Sequence, residues 1–340
     1  MNRLLKVVWQ ASLIGILGGA LALGWHAMIQ MPGESYQGPL PPATDEIRAL
    51  EGELRSHVDM LAGEIGERNV FRYPQLVSAA DYIEQTLSEA GYEVARQEYD
   101  VSGQACENIE AEVRGTERPD EIVLIGAHYD SVKGSPGAND NATGVAATLA
   151  LARAFAQNPT PRTLRFVAFT NEEPPFFQTR HMGSRMYAKR SRQRDEHIIL
   201  MLSLETIGYY SNESGSQSYV FPLHFFYPST GNFIAFVSNV ENGPLVRQLI
   251  GAFRRHTSFP SEGAALWGWL PGVGWSDHWA FWKEGFPAVM VTDTALFRDP
   301  TYHTSNDTPK NIHYEHFARV VSGLQRVITE FTQSPRAASH

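Results

Sequence analysis

The chain has 340 residues, 43% hydrophobic and 19% charged, with 28 Lys plus Arg against 37 Asp plus Glu and a net charge of −9. This composition excludes a disordered chain, a collagen and a small disulfide-stapled module, leaving one large globular domain or two modest ones. The acidic balance lacks the basic stripe that a phosphate backbone demands, so no nucleic-acid partner is expected.

Residues 7–31 contain no Asp, Glu, Lys or Arg and follow Arg3 and Lys6. A charge-free run of this length suits a helix crossing about 30 Å of hydrocarbon, with its basic flank held in the cytosol. The expectation is a transmembrane signal anchor over residues 1–31, with the catalytic domain exported to the periplasmic or extracellular side. A cleaved signal peptide is the alternative: Ala20-Leu21-Ala22 is a small-residue cleavage site, and cleavage would give a secreted protein. The segment 31–46 carries four prolines and two glycines, so residues 32–45 read as an extended tether. The folded body begins near Thr44 and occupies residues 46–334.

Within the body, Leu76, Ala79, Ala80, Ile83, Leu87 and Ala90 repeat at helical spacing ahead of a stop at Gly91. Residues 92–101 and 108–115 read as half-buried strands and 121–127 as a fully buried one. A helix at 143–156, a buried strand at 164–170, a helix at 184–192 and a buried strand at 198–204 follow. Another apolar run at 287–292 and a final helix at 314–331 complete the pattern. Alternating strands and helices predict an α/β three-layer sandwich with a mixed, mainly parallel central sheet. Residues 209–286, rich in aromatic, Gly and Pro residues, read as long connections inserted near the carboxyl ends of the strands, with one helix at 243–257.

Three buried strands run into groups that bind cations: 121–127 into His128 and Asp130, 164–170 into Glu172 and Glu173, and 198–204 into Glu205. Ligands of open α/β sheets bind outside the carboxyl ends of the strands, so these side chains should converge. The loop 134–144 could turn Asp140 over the same edge, and 299–309 offers His303. Each residue alone has a plain alternative: a satisfied core histidine, a turn or cap residue at Asp140 and Asn141, a solvated pair at Glu172 and Glu173. Together those alternatives explain poorly why carboxylates follow several buried strands, where like charges repel unless a cation neutralises them. The single cysteine, Cys106, can build neither an intrachain disulfide nor a thiolate zinc site, and reads as a small buried hydrophobe. Any metal must be held by imidazole and carboxylate.

His128-Tyr129-Asp130, GANDNATG (137–144), Asn171-Glu172-Glu173, SLETIGY (203–209), SDHWAFW (276–282) and YHTSNDTP (302–309) occur in the order seen in the co-catalytic zinc aminopeptidases. On these segments the chain, over roughly residues 50–332, resembles family twenty-eight of the metallopeptidases. The resemblance implies a zinc-dependent exopeptidase-like fold and removal of amino-terminal residues from peptide substrates. It implies two zinc ions, one held by His128, Asp140 and Glu205 and the other by Asp140, Glu173 and His303, with Asp140 bridging. Cobalt or manganese could substitute at such nitrogen and oxygen ligands. Glu205 departs from the usual family pattern, where Asp stands.

By the same resemblance Glu172 is the general base, Asp130 the carboxylate that orients a ligand imidazole, and Tyr302 the phenol that stabilises the tetrahedral oxyanion. Read without the family, Tyr302 is equally a packing tyrosine. Asp277 and His278 should lie near the metal edge without being ligands. Five of seven tryptophans fall at 267, 269, 275, 279 and 282; one or two would line an apolar pocket and the others pack the inserted loops. The basic run 189–194 reads as the solvated end of a helix. Two rival readings remain: a glutaminyl cyclase-like enzyme on the same scaffold with one zinc, and a noncatalytic receptor-type ectodomain, against which every filled ligand position argues. The preferred side chain and the oligomeric state are not legible.

Overall fold

Residues 28–335, together with Gly19 and Gly24, are described by a computed structural model of the chain. The anchor expected over residues 1–31 therefore falls almost entirely outside the described residues. Among the described residues no helix is long and apolar enough to cross a membrane.

The strands are β1 (Val94–Val101), β2 (Gln104–Val113), β3 (Arg118–His128), β4 (Arg162–Phe169), β5 (His197–Glu205), β6 (Ile234–Asn239), β7 (Ser261–Leu266) and β8 (Ala288–Thr292). They form one sheet in the order β1-β2-β4-β3-β5-β8-β6-β7. The middle strands β4, β3, β5 and β8 are mutually parallel. The β1-β2 hairpin joins β4 antiparallel, and β6 and β7, parallel to each other, join β8 antiparallel.

Helices cover both faces, as the buried, mainly apolar strands β3, β4 and β5 require. They are α1 (Asp45–Val58), α2 (Tyr73–Glu89), α3 (Thr143–Phe155), α4 (Gly183–Gln193), α5 (Gly243–His256), α6 (His278–Lys283) and α7 (Tyr314–Gln333). Period-two alternation divides β3 between two cores: Val123, Ile125 and Ala127 pack with α1, α2, α3, α5 and α7, whereas Ile122 and Leu124 pack with α4 and α6. Each of the Val, Ile and Leu side chains contributes roughly 1.5–3 kcal/mol on leaving water.

The expected α/β sandwich is the observed architecture, with strand ends displaced by a few residues. Two features differ from expectation. Residues 209–286 do contain long connections, but they also supply β6, β7 and α6, and so extend the sheet by two strands. The helix α1 was not anticipated; Thr44 caps it by accepting the Ile47 N–H, and Asp45 and Glu46 suit the positive end of its dipole.

Residues 30–44 lack helix or strand but are fastened to the body. Met31 packs so closely on β7 that a Cβ on Gly263 would lie 2.7 Å from its Cγ. Arg254 donates to the carbonyls of Pro32 and Gly33 at 3.2 and 2.9 Å, Arg247 donates to that of Gln30, and the Ser261 N–H donates to Ser35 Oγ.

Candidate metal centre

The carboxyl ends of β3, β4, β5 and β8 form one edge, and the side chains expected to converge do so there. His128 is the last residue of β3 and Glu205 the last of β5. Glu172 and Glu173 follow β4, Asp140 lies in the loop before α3, and His303 lies in the loop before α7. Donor atoms of His128, Asp140 and Glu205 lie within 4.8 Å of one another, as do those of Asp140, Glu173 and His303.

Asp140 belongs to both groups because its two oxygens face opposite ways. Oδ1 lies 3.3 Å from His128 Nε2, and Oδ2 lies 3.1 Å from His303 Nε2. Glu205 Oε2 completes the first group at 3.3 Å from His128 Nε2, and Glu173 Oε2 the second at 3.3 Å from His303 Nε2.

The surroundings fix these orientations. His128 Nδ1 lies 3.1 Å from the backbone carbonyl of Asp130, which can only accept, so in the neutral ring Nδ1 carries the hydrogen and Nε2 a lone pair. That lone pair is buried without a hydrogen-bond donor and faces two carboxylate oxygens; Glu173 Oε1 is likewise buried and unpartnered. Asp130 also receives the N–H groups of Glu172 and Glu173, each at 3.1 Å, which sets the loop after β4.

Three further residues shape the site without having stood out in the sequence. Asp307 accepts the N–H groups of Asn139 and Asp140 at 2.7 and 3.1 Å. Ser276 donates to Glu205 Oε2 at 2.7 Å and lies 2.9 Å from Ser203 Oγ, which accommodates the longer side chain at position 205. Arg68, fully buried, donates to the carbonyls of Leu61, Gly66, Tyr129, Pro136 and Gly137. Ser276 and Asp307 lie inside the quoted motifs, a signal that could have found them; Arg68 lies outside. At Gly137 the backbone is left-handed with φ 62°, and a Cβ would meet the Asp140 carbonyl at 2.4 Å, so only glycine fits this turn.

Electrostatics express the crowding of negative charge. Burial, with Asp140 beside it, pushes Glu173 up to about 8, and burial with Glu205, Glu173 and Asp277 nearby raises Glu172 well above the usual carboxylate range despite His128. Burial opposes protonation of the histidines but is outweighed: Glu205, Asp130 and Asp140 raise His128, and Asp140 and Glu173 lift His303 to about 10. Asp140 itself is held low despite its burial by bonds to the two imidazoles. The site therefore demands positive charge between its imidazoles and carboxylates, which divalent cations on a nitrogen and oxygen donor set would supply.

Tyr302 stacks on His303, with ring centroids 3.9 Å apart, and lines with Glu205 an open, mainly apolar cleft. Asp277 and His278 are buried, and Asp277 feels the charges of His128 and Glu205 without joining either donor group. Among the tryptophans, Trp275 lines the cleft, Trp279 and Trp282 pack against the α4–α6 core, and Trp267 and Trp269 are exposed. Arg190, in the basic run of α4, is engaged by Glu110 rather than free in solvent. Cys106 is buried.

Residues 108–328 match peptidase family M28. An uncharacterized protein of Escherichia coli strain K12, YfbL, is 34% identical over 281 residues, 80% of this chain and 85% of its own. Among solved structures, BSAP, a zinc aminopeptidase from Bacillus subtilis, aligns with a TM-score of 0.67 at 15% identity over 85% of this chain and 96% of that one. Glutaminyl cyclase from Fimbriiglobus ruber aligns with a TM-score of 0.62 at 18% identity over 88% and 98%. At these identities the two structures share the fold. With the family match running through well over half of the sequence and the Escherichia coli relative aligned along most of both chains, the chain belongs to peptidase family M28.

Proposed function

We propose that the protein is a zinc-dependent aminopeptidase that holds two ions, acts on peptides, and is exported and kept at the membrane by residues 1–31. The observation that carries the two-ion reading is the divided carboxylate of Asp140, with one oxygen toward His128 and the other toward His303. His128, Asp140 and Glu205 would hold the first ion, and Asp140, Glu173 and His303 the second. The zinc aminopeptidase of Bacillus subtilis, which shares the fold, supports the choice of metal and reaction. A cyclase with one zinc uses a single donor group, and the complete second group here favours the aminopeptidase.

Bound zinc supplies Lewis acidity, polarising the scissile carbonyl and making water acidic enough to lose a proton near neutral pH. Glu172 accepts that proton and delivers it to the leaving amine; burial among other carboxylates raises its affinity for the proton during the transfer. Tyr302 donates its phenol hydrogen to the oxygen that develops charge, and burial keeps that hydrogen in place. Contrary to the expected carboxylate contact, the Asp130 backbone carbonyl holds the His128 ring, Oδ1 lying 3.5 Å from Nδ1, while the carboxylate holds the base through the Glu172 N–H. The first side chain of the peptide occupies the apolar cleft beside Glu205 and Tyr302.

Metal quantitation on the purified full chain, with hydrolysis of amino-acyl arylamides measured before and after chelation, tests the proposal. Two zinc ions per chain and chelator-sensitive release are expected. Hydrolysis that survives metal removal, or one ion per chain with conversion of amino-terminal glutamine to pyroglutamate, would exclude it.

A further inference from the structure

Among the described residues, an exposed apolar surface borders the cleft and has no role in the site chemistry. It is built by two loops, residues 219–227 and 267–275, neither of which contains Asp, Glu, Lys or Arg. Phe221, Phe225, Trp267 and Trp269 are 79, 68, 53 and 76% exposed, and Phe226 and Trp275 are also exposed. The rings are held up by local structure. Phe221 packs edge-on against Phe225, and Trp267 stacks on Trp269 with centroids 5.9 Å apart. A monomeric protein in water rarely shows so many aromatic rings together, and such patches mark contact surfaces.

The chain itself indicates what the surface meets. Leu223 and Tyr227 from the first loop and Leu270 from the second pack on one small cluster with Ala264, Leu266 and Val273, and Met28 and Ile29 pack on the same cluster. Met28 and Ile29 stand near the end of the charge-free run 7–31, and the clasp of Gln30, Pro32 and Gly33 by Arg247 and Arg254 fixes that run to the body at this point. A bilayer holding residues 7–27 is thereby brought to the aromatic loops. Phe and Trp rings without neighbouring charge suit its headgroup layer, where an apolar body and, for Trp, a polar N–H are both accommodated.

We propose that loops 219–227 and 267–275 dock into the lipid headgroup layer beside the anchor, so that the active-site cleft opens along the membrane surface. Trp275 belongs to both the patch and the cleft wall. The substrates favoured by this arrangement are polypeptides whose free amino termini lie at or emerge from the bilayer. The proposal rests on the anchor reading of residues 1–31 and adds the orientation of the body.

The buried Cys106 leaves introduced cysteines as the reactive ones. The full chain carrying Phe225→Cys, Trp269→Cys, Ile14→Cys or Gln157→Cys is spin-labelled and reconstituted in vesicles of equal parts phosphatidylcholine and phosphatidylglycerol, and collision with oxygen is compared with collision with a polar nickel chelate. Oxygen should exceed the chelate at positions 225, 269 and 14, and the order should reverse at 157, an exposed position at the opposite end of β4 from the cleft. Water-like accessibility at 225 and 269 with lipid-like accessibility at 14 would overturn the docking and leave the anchor intact. Water-like accessibility at 14 would overturn the anchor and the docking together. Labels at 225 and 269 shielded from both reagents would mean that residues 1–27 cover the loops, which also overturns it.

Discussion

Asp130 and Glu172, 42 residues apart, are joined by a 3.1 Å hydrogen bond from the Glu172 N–H to Asp130 Oδ1. The second oxygen takes the Glu173 N–H, so one carboxylate ties the end of β3 to the loop that carries Glu172 and Glu173. In Asp130→Asn, an amide N–H₂ would oppose one of these backbone donors. Zinc affinity should fall about 10–100-fold with the fold retained. Titration against a competing chelator, with circular dichroism as the control, checks this; unchanged affinity would remove Asp130 from the site.

Glu172→Gln keeps the shape of the side chain and removes its basicity. The expected loss in kcat is about 10²–10⁴-fold, with metal content unchanged. Tyr302→Phe should lower kcat by about 10²-fold with little change in KM, as for loss of a single oxyanion donor. Steady-state kinetics on a leucyl arylamide distinguish both from loss of metal. A Tyr302→Phe enzyme of full activity would assign the ring to packing.

Glu205→Asp would draw the carboxylate back from both His128 and Ser276. Here the longer Glu205 side chain reaches both partners. Zinc occupancy of the first group should fall roughly tenfold, and Ser276→Ala should act in the same direction more weakly. Metal analysis after dialysis at limiting zinc reads both changes.

The central strands and the site were legible for related reasons. Strands β3, β4, β5 and β8 are buried on both faces and spell mainly apolar runs, the first three of which end abruptly in His128, Asn171-Glu172-Glu173 and Glu205. The outer strand β6 and the edge strand β7 have six residues each, and Ser261–Leu266 mixes Glu, Gly and Ala, which carry little strand preference; pairing with β8 and with each other decides their conformation. The four-residue spacing of Leu50, Leu54 and Val58 in α1 is diluted by six charged side chains and Gly52. Arg68 was illegible because its partners are backbone carbonyls, which leave no residue pattern.

Arg68 lies near Asp307, Asp130, Asp140 and Glu173, and burial alone brings its pKa down to about 10 against their opposing pull. Arg68→Lys retains the charge but cannot span five carbonyls. A destabilisation of about 2–4 kcal/mol is expected from the buried carbonyls left without donors. Urea unfolding, read as a shift in midpoint at constant slope, measures it. Zinc affinity should fall in parallel, because the same guanidinium holds the loop of Asp140.

His57 provides a pH dependence away from the metal centre. Burial, with Arg153 adding to it, lowers its pKa to about 4, and the Glu53 carboxylate 4.0 Å away does not reverse the shift. The unfolded chain takes up this proton near pH 6.5 and the folded one only near 4. The contribution to stability is therefore complete above 6.5 and lost as pH falls toward 4, up to about 3 kcal/mol. His57→Phe should flatten the fall in melting temperature between pH 6.5 and 4; an unchanged slope would assign it to other groups.

The bond from the Asp140 N–H to Asp307 spans 167 residues. Its acceptor is translated only when most of the polypeptide is already out of the ribosome. A nascent or prematurely terminated chain consequently lacks the clamp that presents Asp140, and hydrolytic power arrives with completion of synthesis.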